Sequence, residues 1–218
     1  MHCICVNLCL SVVNHRLEIE IPMPRTATIT RKTNETQITL ELNLDGGSSG
    51  YTHKTGVGFF DHMLDHIAKH GQFGSNITAT GDHHIDDHHT VEDVGIVLGQ
   101  ALDKALGDKK GIERYGFASV PMDEALARVS VDLSGRAALV FAADFDLQPT
   151  KIGTFDTQLV REFLTALVNN GKFNCHVEVV HGANHHHIVE AIFKALGRAL
   201  RQAVAVTGTQ IPSTKGSL

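Results

Sequence analysis

The chain repeats one segment of its own sequence, and this duplication constrains the fold more than any other feature. Residues 88–102 and 186–200 share the pattern His-His-x-Val-Glu-x5-Leu-Gly-x-Ala-Leu at an offset of 98. Two further matches join 71–73 to 171–173 and 34–46 to 123–135, at offsets of 100 and 89. Because each copy of a repeat folds as the same supersecondary unit, the sequence predicts two similar units in tandem.

Both units carry the same succession of predicted elements. Alternating apolar and polar residues in ATITR and ITLELNL, and again in FASVPM and ARVSVDLS, predict half-buried strands. A helix is predicted over 59–71, with Gly71 as the left-handed residue that ends it, and its counterpart over 155–171. A strand follows each helix, and a second helix begins near each His-His motif. The glycine-rich segment 45–50 is predicted to be a hairpin loop.

The predicted fold class is α+β, a tandem duplication of a unit with a four-stranded sheet on one side and two helices on the other. The 218 residues are enough to bury a core without disulfides. We divide the chain into an N-terminal extension of unknown role (1–23), a first unit (24–110), a second unit (111–207) and a C-terminal tail (208–218). Met23 is an alternative start, so the extension is either an accessory segment or untranslated.

Composition argues against several classes of protein. The net charge is −5 and no basic block is present, which disfavours nucleic acid as a partner. No apolar run reaches the roughly 18 residues of a membrane-spanning helix. Three of the four cysteines crowd into the first nine residues, whereas a disulfide framework would spread them through the fold. We therefore expect a protein of the reducing cytoplasm.

Twelve of the 15 histidines fall within residues 62–89 and 176–187, and each repeat places a glutamate after a His-His pair. Residues three apart share a helix face, so His89 and Glu92 are predicted to face one way, while His88 points about 100° away. Imidazole with carboxylate suits Mn, Fe, Zn, Ni or Cu, and two metals explain two adjacent histidines better than one. At the offset of 100, His62 corresponds to Glu162.

The repeat thus predicts two ligand sets, one in each unit. The first set is His62, His88, His89 and Glu92, and the second is Glu162, His186, His187 and Glu190.

Six strings together resemble the imidazoleglycerol-phosphate dehydratase family, from about Arg25 to Leu218. They are FFDHMLDHIAKHG, DDHHTVEDVGIVLGQAL, ERYG, DLSGR, HHIVEAIFKALGRAL and PSTKG. The resemblance implies a duplicated unit like the second domain of ribosomal protein S5 and a monofunctional enzyme of histidine biosynthesis. It also implies loss of water from D-erythro-imidazole-glycerol phosphate to give imidazole-acetol phosphate. A homo-24-mer with two Mn²⁺ ions per active site, at subunit contacts, is implied as well.

The same resemblance implies roles for individual residues. The metal ligands would be His62, His88, His89, Glu92, Glu162, His186, His187 and Glu190. Glu162 stands where the family often has histidine. Its correspondence with His62 in the repeat favours a ligand, and an exposed helix glutamate is the alternative.

Catalysis and substrate binding are assigned by the resemblance too. Glu35 is the candidate acid and base, and His70 matches another catalytic position; a helix C-terminal histidine that stabilises the dipole is the alternative for His70. The substrate would contact Glu35, His62, His70, Arg114, Arg136, Lys194, Ser213, Thr214 and Lys215. Arginine suits bidentate recognition of the substrate phosphate.

Two other functions fit part of the pattern. Paired metals also activate water, so a di-metal phosphohydrolase is the alternative enzyme. A metal-storage protein is the alternative outside catalysis, although histidines placed at matched repeat positions differ from a low-complexity histidine tract.

Overall fold

A computed structural model describes residues 24–46, 50–143 and 150–218. The first unit contains β1 (Thr26–Lys32), β2 (Thr36–Asn43), β3 (Tyr51–Lys54), α1 (Gly58–Gly71), β4 (Gly74–Gly81) and α2 (His88–Leu106). The second contains β5 (Tyr115–Met122), β6 (Ala125–Asp132), β7 (Ala138–Ala142), β8 (Lys151–Ile152), β9 (Phe155–Asp156), α3 (Leu159–Gly171), β10 (Asn174–His181) and α4 (His185–Val204). The N-terminal extension and its three cysteines lie outside the described residues. Within the described ranges, no helix is both long and apolar enough to cross a bilayer.

The two main sheets have the same topology. Their strand orders are β1-β2-β4-β3 and β5-β6-β10-β7, and the last strand of each runs parallel to its neighbour. The predicted duplicated α+β fold is confirmed. The predicted hairpin at 45–50 is wrong, because β2 pairs with β1 and β4 while β3 lies beyond β4 at the sheet edge.

The four helices lie between the two sheets. Alternation along β2 buries Ile38, Leu40 and Leu42 while Thr39 and Glu41 face outward, so each sheet covers the helices with one face only. Helices α1 and α2 pack on the first sheet, and α3 and α4 on the second. The helices also pack across the two units, with α1 on α4 and α2 on α3.

Glycines allow these helices to approach closely. A Cβ added at Gly99 would lie 2.5 Å from the Leu167 carbonyl oxygen, and one at Gly95 would lie 2.7 Å from that of Phe163. In the other pair, a Cβ on Gly197 would lie 2.9 Å from the Ile67 carbonyl oxygen. Any side chain at these positions would push the helices of the two units apart.

Two predicted helix boundaries are wrong. The left-handed residue after α1 is Gln72, at φ 57°, whereas Gly71 lies inside the helix. Gly71 is needed for space, because a Cβ there would lie 2.4 Å from the Phe73 ring. Helix α3 begins at Leu159 and not at residue 155, because β9 pairs with β8 in a small two-stranded sheet.

Replacing Gly99 with alanine should lower the free energy of unfolding by about 1–3 kcal/mol, the usual cost of overpacking a closed contact. Gly58→Ala is the matched control, since a Cβ there would meet no heavy atom within 4 Å outside its own neighbours. Alanine in that helix should leave stability unchanged or raise it slightly. Urea unfolding followed by circular dichroism measures both, and equal stabilities for the two variants would contradict the packing argument.

Candidate metal centre and active site

Helix α1 of the first unit and the start of α4 in the second bring four side chains together, which we call the α1–α4 cluster: His62, His66, His186 and Glu190. His66 Nε2 lies 3.1 Å from Glu190 Oε1 and 3.2 Å from His62 Nε2. His186 Nε2 lies 3.1 Å from Glu190 Oε2. The ligand atoms of His62, His66 and Glu190 all lie within 4.8 Å of one another, a spacing that suits one metal ion.

The electrostatics of this cluster favour a neutral imidazole at His66 and a charged carboxylate at Glu190. Burial is the largest influence on His66 and lowers its pKa to about 4. Glu190 is buried, which raises its pKa, but Lys194 Nζ at 2.6 Å and the neighbouring histidines more than offset this and hold the pKa below its usual value. Neutral imidazole and ionised carboxylate are the forms that bind metals.

A second group, the α2–α3 cluster, consists of His88, Glu92 and Glu162. His88 and Glu162 line one cleft of about 220 Å³, together with Asp86, Asp87, Lys151 and Asp156. His88 Nε2 lies 3.7 Å from Glu92 Oε2. The cleft is therefore rich in carboxylates. Glu162 is half-buried at this cleft and not a fully exposed helix residue.

The structure groups the predicted ligands differently from the two sets that were inferred from the internal repeat, one in each unit. Each cluster takes one helix from each unit, because α1 packs on α4 and α2 packs on α3. Glu92 is paired with His88, at a spacing of four, rather than with His89 as expected from a spacing of three. The same spacing of four pairs His186 with Glu190. Both spacings bring residues to one helix face, and here the longer one is used.

His89 and His187 make no ion-pair contact with the carboxylates of either cluster among the described residues, and each is held by another acid. His89 Nδ1 lies 2.9 Å from Asp82 Oδ2, and His187 Nδ1 lies 2.7 Å from Glu124 Oε2. These hydrogen bonds are the main cause of the raised pKa of each histidine. A carboxylate on Nδ1 fixes the ring and directs Nε2 outward, the usual support for a metal-binding histidine.

The donor atom types of both clusters suit a divalent transition metal, and among the described residues it is His62, His66 and Glu190 whose ligand atoms are grouped closely enough to share one ion. Both clusters combine imidazole nitrogens with carboxylate oxygens. Asp82 Oδ1 and Asp87 Oδ2 are buried close to the start of α2 and have no hydrogen-bond partner among the described residues. Buried acceptors of this kind are suited to a metal-bound water or another donor at the site.

Glu35 sits beside His89 because a partly buried ion pair fixes the turn that carries it. Arg31 Nε lies 2.9 Å from Asp93 Oδ1, and Thr36 Oγ1 donates to Asp93 Oδ2. Asp93 belongs to α2, so both bonds tie the β1–β2 turn to the start of that helix. The Glu35 carboxylate is exposed, 3.9 Å from His89 Nε2, in a position from which it can move a proton near that ring.

His70 and Lys194 lie beside the α1–α4 cluster. The His70 ring centroid is 5.6 Å from that of His66, and its pKa is lowered by burial first and then by Lys194 and Arg198. Lys194 Nζ contacts Glu190 and Met122 Sδ.

The predicted phosphate anchors lie at the other end of α4. Arg114 binds Asp132 with two nitrogens, at 2.7 and 3.2 Å, and donates to the Pro212 carbonyl of the tail at 2.8 Å. Its guanidinium has five N–H groups, so two stay available for a ligand. Arg136 is exposed in the loop between β6 and β7, and the start of that loop is hydrogen-bonded to the Arg114 carbonyl through the Leu133 N–H. In the tail, Ser213 is half-buried, whereas Thr214 and Lys215 are exposed.

Three residues of this site were missed in the sequence. His66 was not among the predicted ligands, although its spacing of four from His62 places both on one helix face. Glu124 corresponds to Glu35 at the offset of 89, which could have indicated it. Asp82 carries no comparable signal, because its partner His89 is brought to it by the turn between β4 and α2.

Comparisons with known proteins agree on one family. A family model described as imidazoleglycerol-phosphate dehydratase matches residues 55–200. The dehydratase of Ruegeria pomeroyi is 57% identical over 197 residues, which cover 89% of this chain and 100% of that relative. That of Lacticaseibacillus casei is 58% identical over 194 residues, covering 88% and 98%. The chain belongs to the imidazoleglycerol-phosphate dehydratase family.

Solved structures of this family share the fold. The dehydratase of Staphylococcus aureus is 44% identical, with a TM-score of 0.75 over 84% of this chain and 99% of that one. The Pyrococcus furiosus dehydratase is 37% identical, with a TM-score of 0.76 over 87% and 100%. Family membership identifies a hydro-lyase of histidine biosynthesis. The di-metal phosphohydrolase gains no support from these comparisons.

Replacing Asp82 with asparagine should weaken the binding of Mn²⁺, the ion implied by the sequence resemblance, by about 10–100-fold, the usual effect of losing a carboxylate behind a metal-binding histidine. The pKa of His89 should fall as well, because Asp82 is the main cause of its elevation. Asp108→Asn is the control, since Asp108 only accepts from the Lys110 backbone on an exposed loop. Calorimetric titration measures affinity, and equal affinities for the two variants would show that Asp82 does not orient His89.

Proposed function

We propose that the chain removes water from imidazoleglycerol phosphate to give the corresponding acetol phosphate. The observation that carries the proposal is the pair of mixed imidazole and carboxylate clusters, with Glu35 held 3.9 Å from His89 Nε2. Loss of water from this substrate breaks a C–H bond on a carbon that no carbonyl acidifies. The reaction therefore needs both strong electrostatic support at the imidazole ring and a positioned base.

We propose two Mn²⁺ ions as the cofactor. The α1–α4 cluster would hold one through His62, His186 and Glu190, and the α2–α3 cluster would hold the other through His88, Glu92 and Glu162. His89 and His187 would supply a ligand each to clusters of neighbouring copies. When bound, the metals supply positive charge that favours deprotonation of the substrate ring and orients it.

Within this proposal, Glu35 takes the carbon-bound proton of the substrate and delivers a proton to the departing hydroxyl. Its exposed carboxylate stands on a turn that the Arg31–Asp93 pair holds against α2, so its position is fixed while its oxygens stay free. His70 is proposed as a second group at the substrate, and the burial that lowers its pKa keeps it neutral near pH 7. A neutral imidazole can either accept or donate a proton.

The substrate phosphate would be held by cationic side chains of the second unit and the C-terminal tail that lie near the last turn of α4. Arg114 is already fixed by Asp132 and Pro212, which orients its free N–H groups without further ordering. Arg136 and Lys215 are exposed, and Ser213 and Thr214 offer hydroxyl groups in the same tail. Lys194, beside Glu190, is proposed to contact the part of the substrate nearer the ring.

We further propose that the site forms between copies of the chain in a homo-24-mer of the cytoplasm. The Arg114 backbone N–H donates to Ala203, in the last turn of α4, whereas His186 and His187 occupy the first turn. A rise of 1.5 Å per residue separates these positions by about 25 Å, far more than the length of one substrate molecule. A site that combines the phosphate anchors of one copy with the metal ligands of another would bring both within reach of one substrate molecule.

Purified protein should dehydrate imidazoleglycerol phosphate with Mn²⁺ and lose turnover with a chelator, because the metals would hold the substrate ring. Appearance of the ketone product is the measurement, and sedimentation of the same sample should place the activity in an assembled species. Folded, Mn²⁺-loaded protein without turnover would contradict the proposal. Release of inorganic phosphate from phosphomonoesters would instead support the phosphohydrolase.

Replacing Glu35 with glutamine should lower kcat by about 10²–10⁴-fold, the usual contribution of a general acid or base, while the metal content stays unchanged. Glu41→Gln, on the outer face of β2, is the control and should retain full turnover. Steady-state kinetics with metal analysis measures both effects. If Glu35→Gln kept its kcat, another residue would have to move the proton.

A further inference from the structure

The two clusters differ in the ligands that this chain contributes. At the offset of 100, His62 and His66 of α1 correspond to Glu162 and Ala166 of α3. The α1–α4 cluster therefore has three imidazoles and one carboxylate, whereas the α2–α3 cluster has one imidazole and two carboxylates. The repeat is symmetric in its backbone and asymmetric at the metal ligands.

His66 belongs to its cluster by geometry. Its Nε2 atom lies between His62 Nε2 and Glu190 Oε1, at 3.2 and 3.1 Å, and its side chain is 13% exposed. Ala166, its counterpart in the repeat, is buried and offers no ligand atom.

The two clusters also differ in their surrounding charge, which is more negative at the α2–α3 cluster. In the α1–α4 cluster, the single carboxylate of Glu190 already has Lys194 Nζ at 2.6 Å, so the formal charges nearly cancel. The cleft of the α2–α3 cluster places Glu162 beside Asp86, Asp87 and Asp156, against one lysine, Lys151. An ion held mainly by charge therefore gains more at the second cluster than at the first.

We propose that the two clusters differ in how strongly they discriminate between metals: the α1–α4 cluster favours a borderline ion such as Zn²⁺ over Mn²⁺ by more than the α2–α3 cluster does, because His66 adds an imidazole to the first and Glu162 adds a carboxylate to the second. Imidazole nitrogen suits Zn²⁺, whereas carboxylate oxygen suits Mn²⁺. The inference rests on the proposed two-metal site. If a neighbouring copy adds one histidine to each cluster, both gain equally and the difference between them stays.

Zinc displacement from the Mn²⁺-loaded full chain tests this preference without substrate. Free Mn²⁺ is followed by its electron paramagnetic resonance signal, and bound metals are counted by elemental analysis. Zn²⁺ binds more tightly than Mn²⁺ to most such sites, so both ions should be displaced in the end. We expect two equal steps with midpoints at least about tenfold apart in Zn²⁺ concentration, the ratio for a difference of about 1.4 kcal/mol. A single step would overturn the proposal.

Two variants should move different steps. His66→Gln should shift the earlier step to higher Zn²⁺, and Glu162→His should shift the later step to lower Zn²⁺, towards a single transition. His176→Gln and Glu178→His, on the exposed face of β10, are matched controls and should leave both steps in place. If Glu162→His fails to fold, Glu162→Gln removes the charge with little change in shape and should shift the later step the same way. Two steps that neither variant moves would also overturn the assignment.

Dehydration measured on the same Mn²⁺-loaded samples separates this inference from the proposed function. A single displacement step with normal turnover would overturn the metal preference alone. Two steps that shift as expected, without turnover, would overturn the proposed reaction and support the metal assignment. Failure to bind Mn²⁺ at all would overturn both the preference and the proposed cofactor.

Discussion

The close contact between helices of different units is the interaction on which the rest of the structure depends. Gly95 and Gly99 let α2 meet the backbone of α3, and Gly197 does the same for α4 on α1. Because each contact joins the two units, the side chains at the helix starts come together across the duplication. Both candidate metal clusters follow from this packing. A single unit would still contain the sequence patterns that predict its strands and helices, but it would contain neither cluster.

Duplication gave the chain two equivalent turns, and the structure uses them differently. Glu35 and Glu124 correspond at the offset of 89, and each stands in the turn before the second strand of its unit. Glu124 accepts a hydrogen bond from the Asn184 backbone N–H, and further ones from His187 and the Ala183 N–H, and together these lower its pKa to about 2.

In the first unit, the corresponding histidine is His89, and its Nδ1 atom is hydrogen-bonded to Asp82 and not to Glu35. A carboxylate freed from a structural hydrogen bond is available for proton transfer. This division explains why only one of the two equivalent acids is the candidate base.

Local sequence patterns correctly predicted most helices and strands. The wrong predictions fall where packing between distant segments determines the structure. The strands β1, β2, β4, β5, β6 and β10 and the starts of α2 and α4 were predicted because alternation and the repeated His-His motif are local signals. The hairpin at 45–50 was wrong because strand order depends on the pairing of β3 with β4, which no local signal encodes. Gly71 was assigned to a left-handed turn, but the Phe73 ring explains it. Likewise, the candidate ligands were predicted from their residue types, yet their grouping depends on the packing of α1 on α4 and of α2 on α3.

The length of α4 connects the fold to the need for assembly. The first turn of this helix carries His186 and His187, and its last turn receives Arg114, which in turn holds the C-terminal tail through Pro212. Twenty residues of regular helix keep these two groups about 25 Å apart, and the helix is buried along most of its length, so it cannot bend to bring them together. A phosphate anchored at Arg114 therefore cannot belong to a substrate whose ring reaches the metal clusters of the same chain. If Arg114 holds the substrate phosphate as proposed, a second copy would have to present its Arg114 end to the first turn of α4, and association of copies would then be a geometric condition for catalysis.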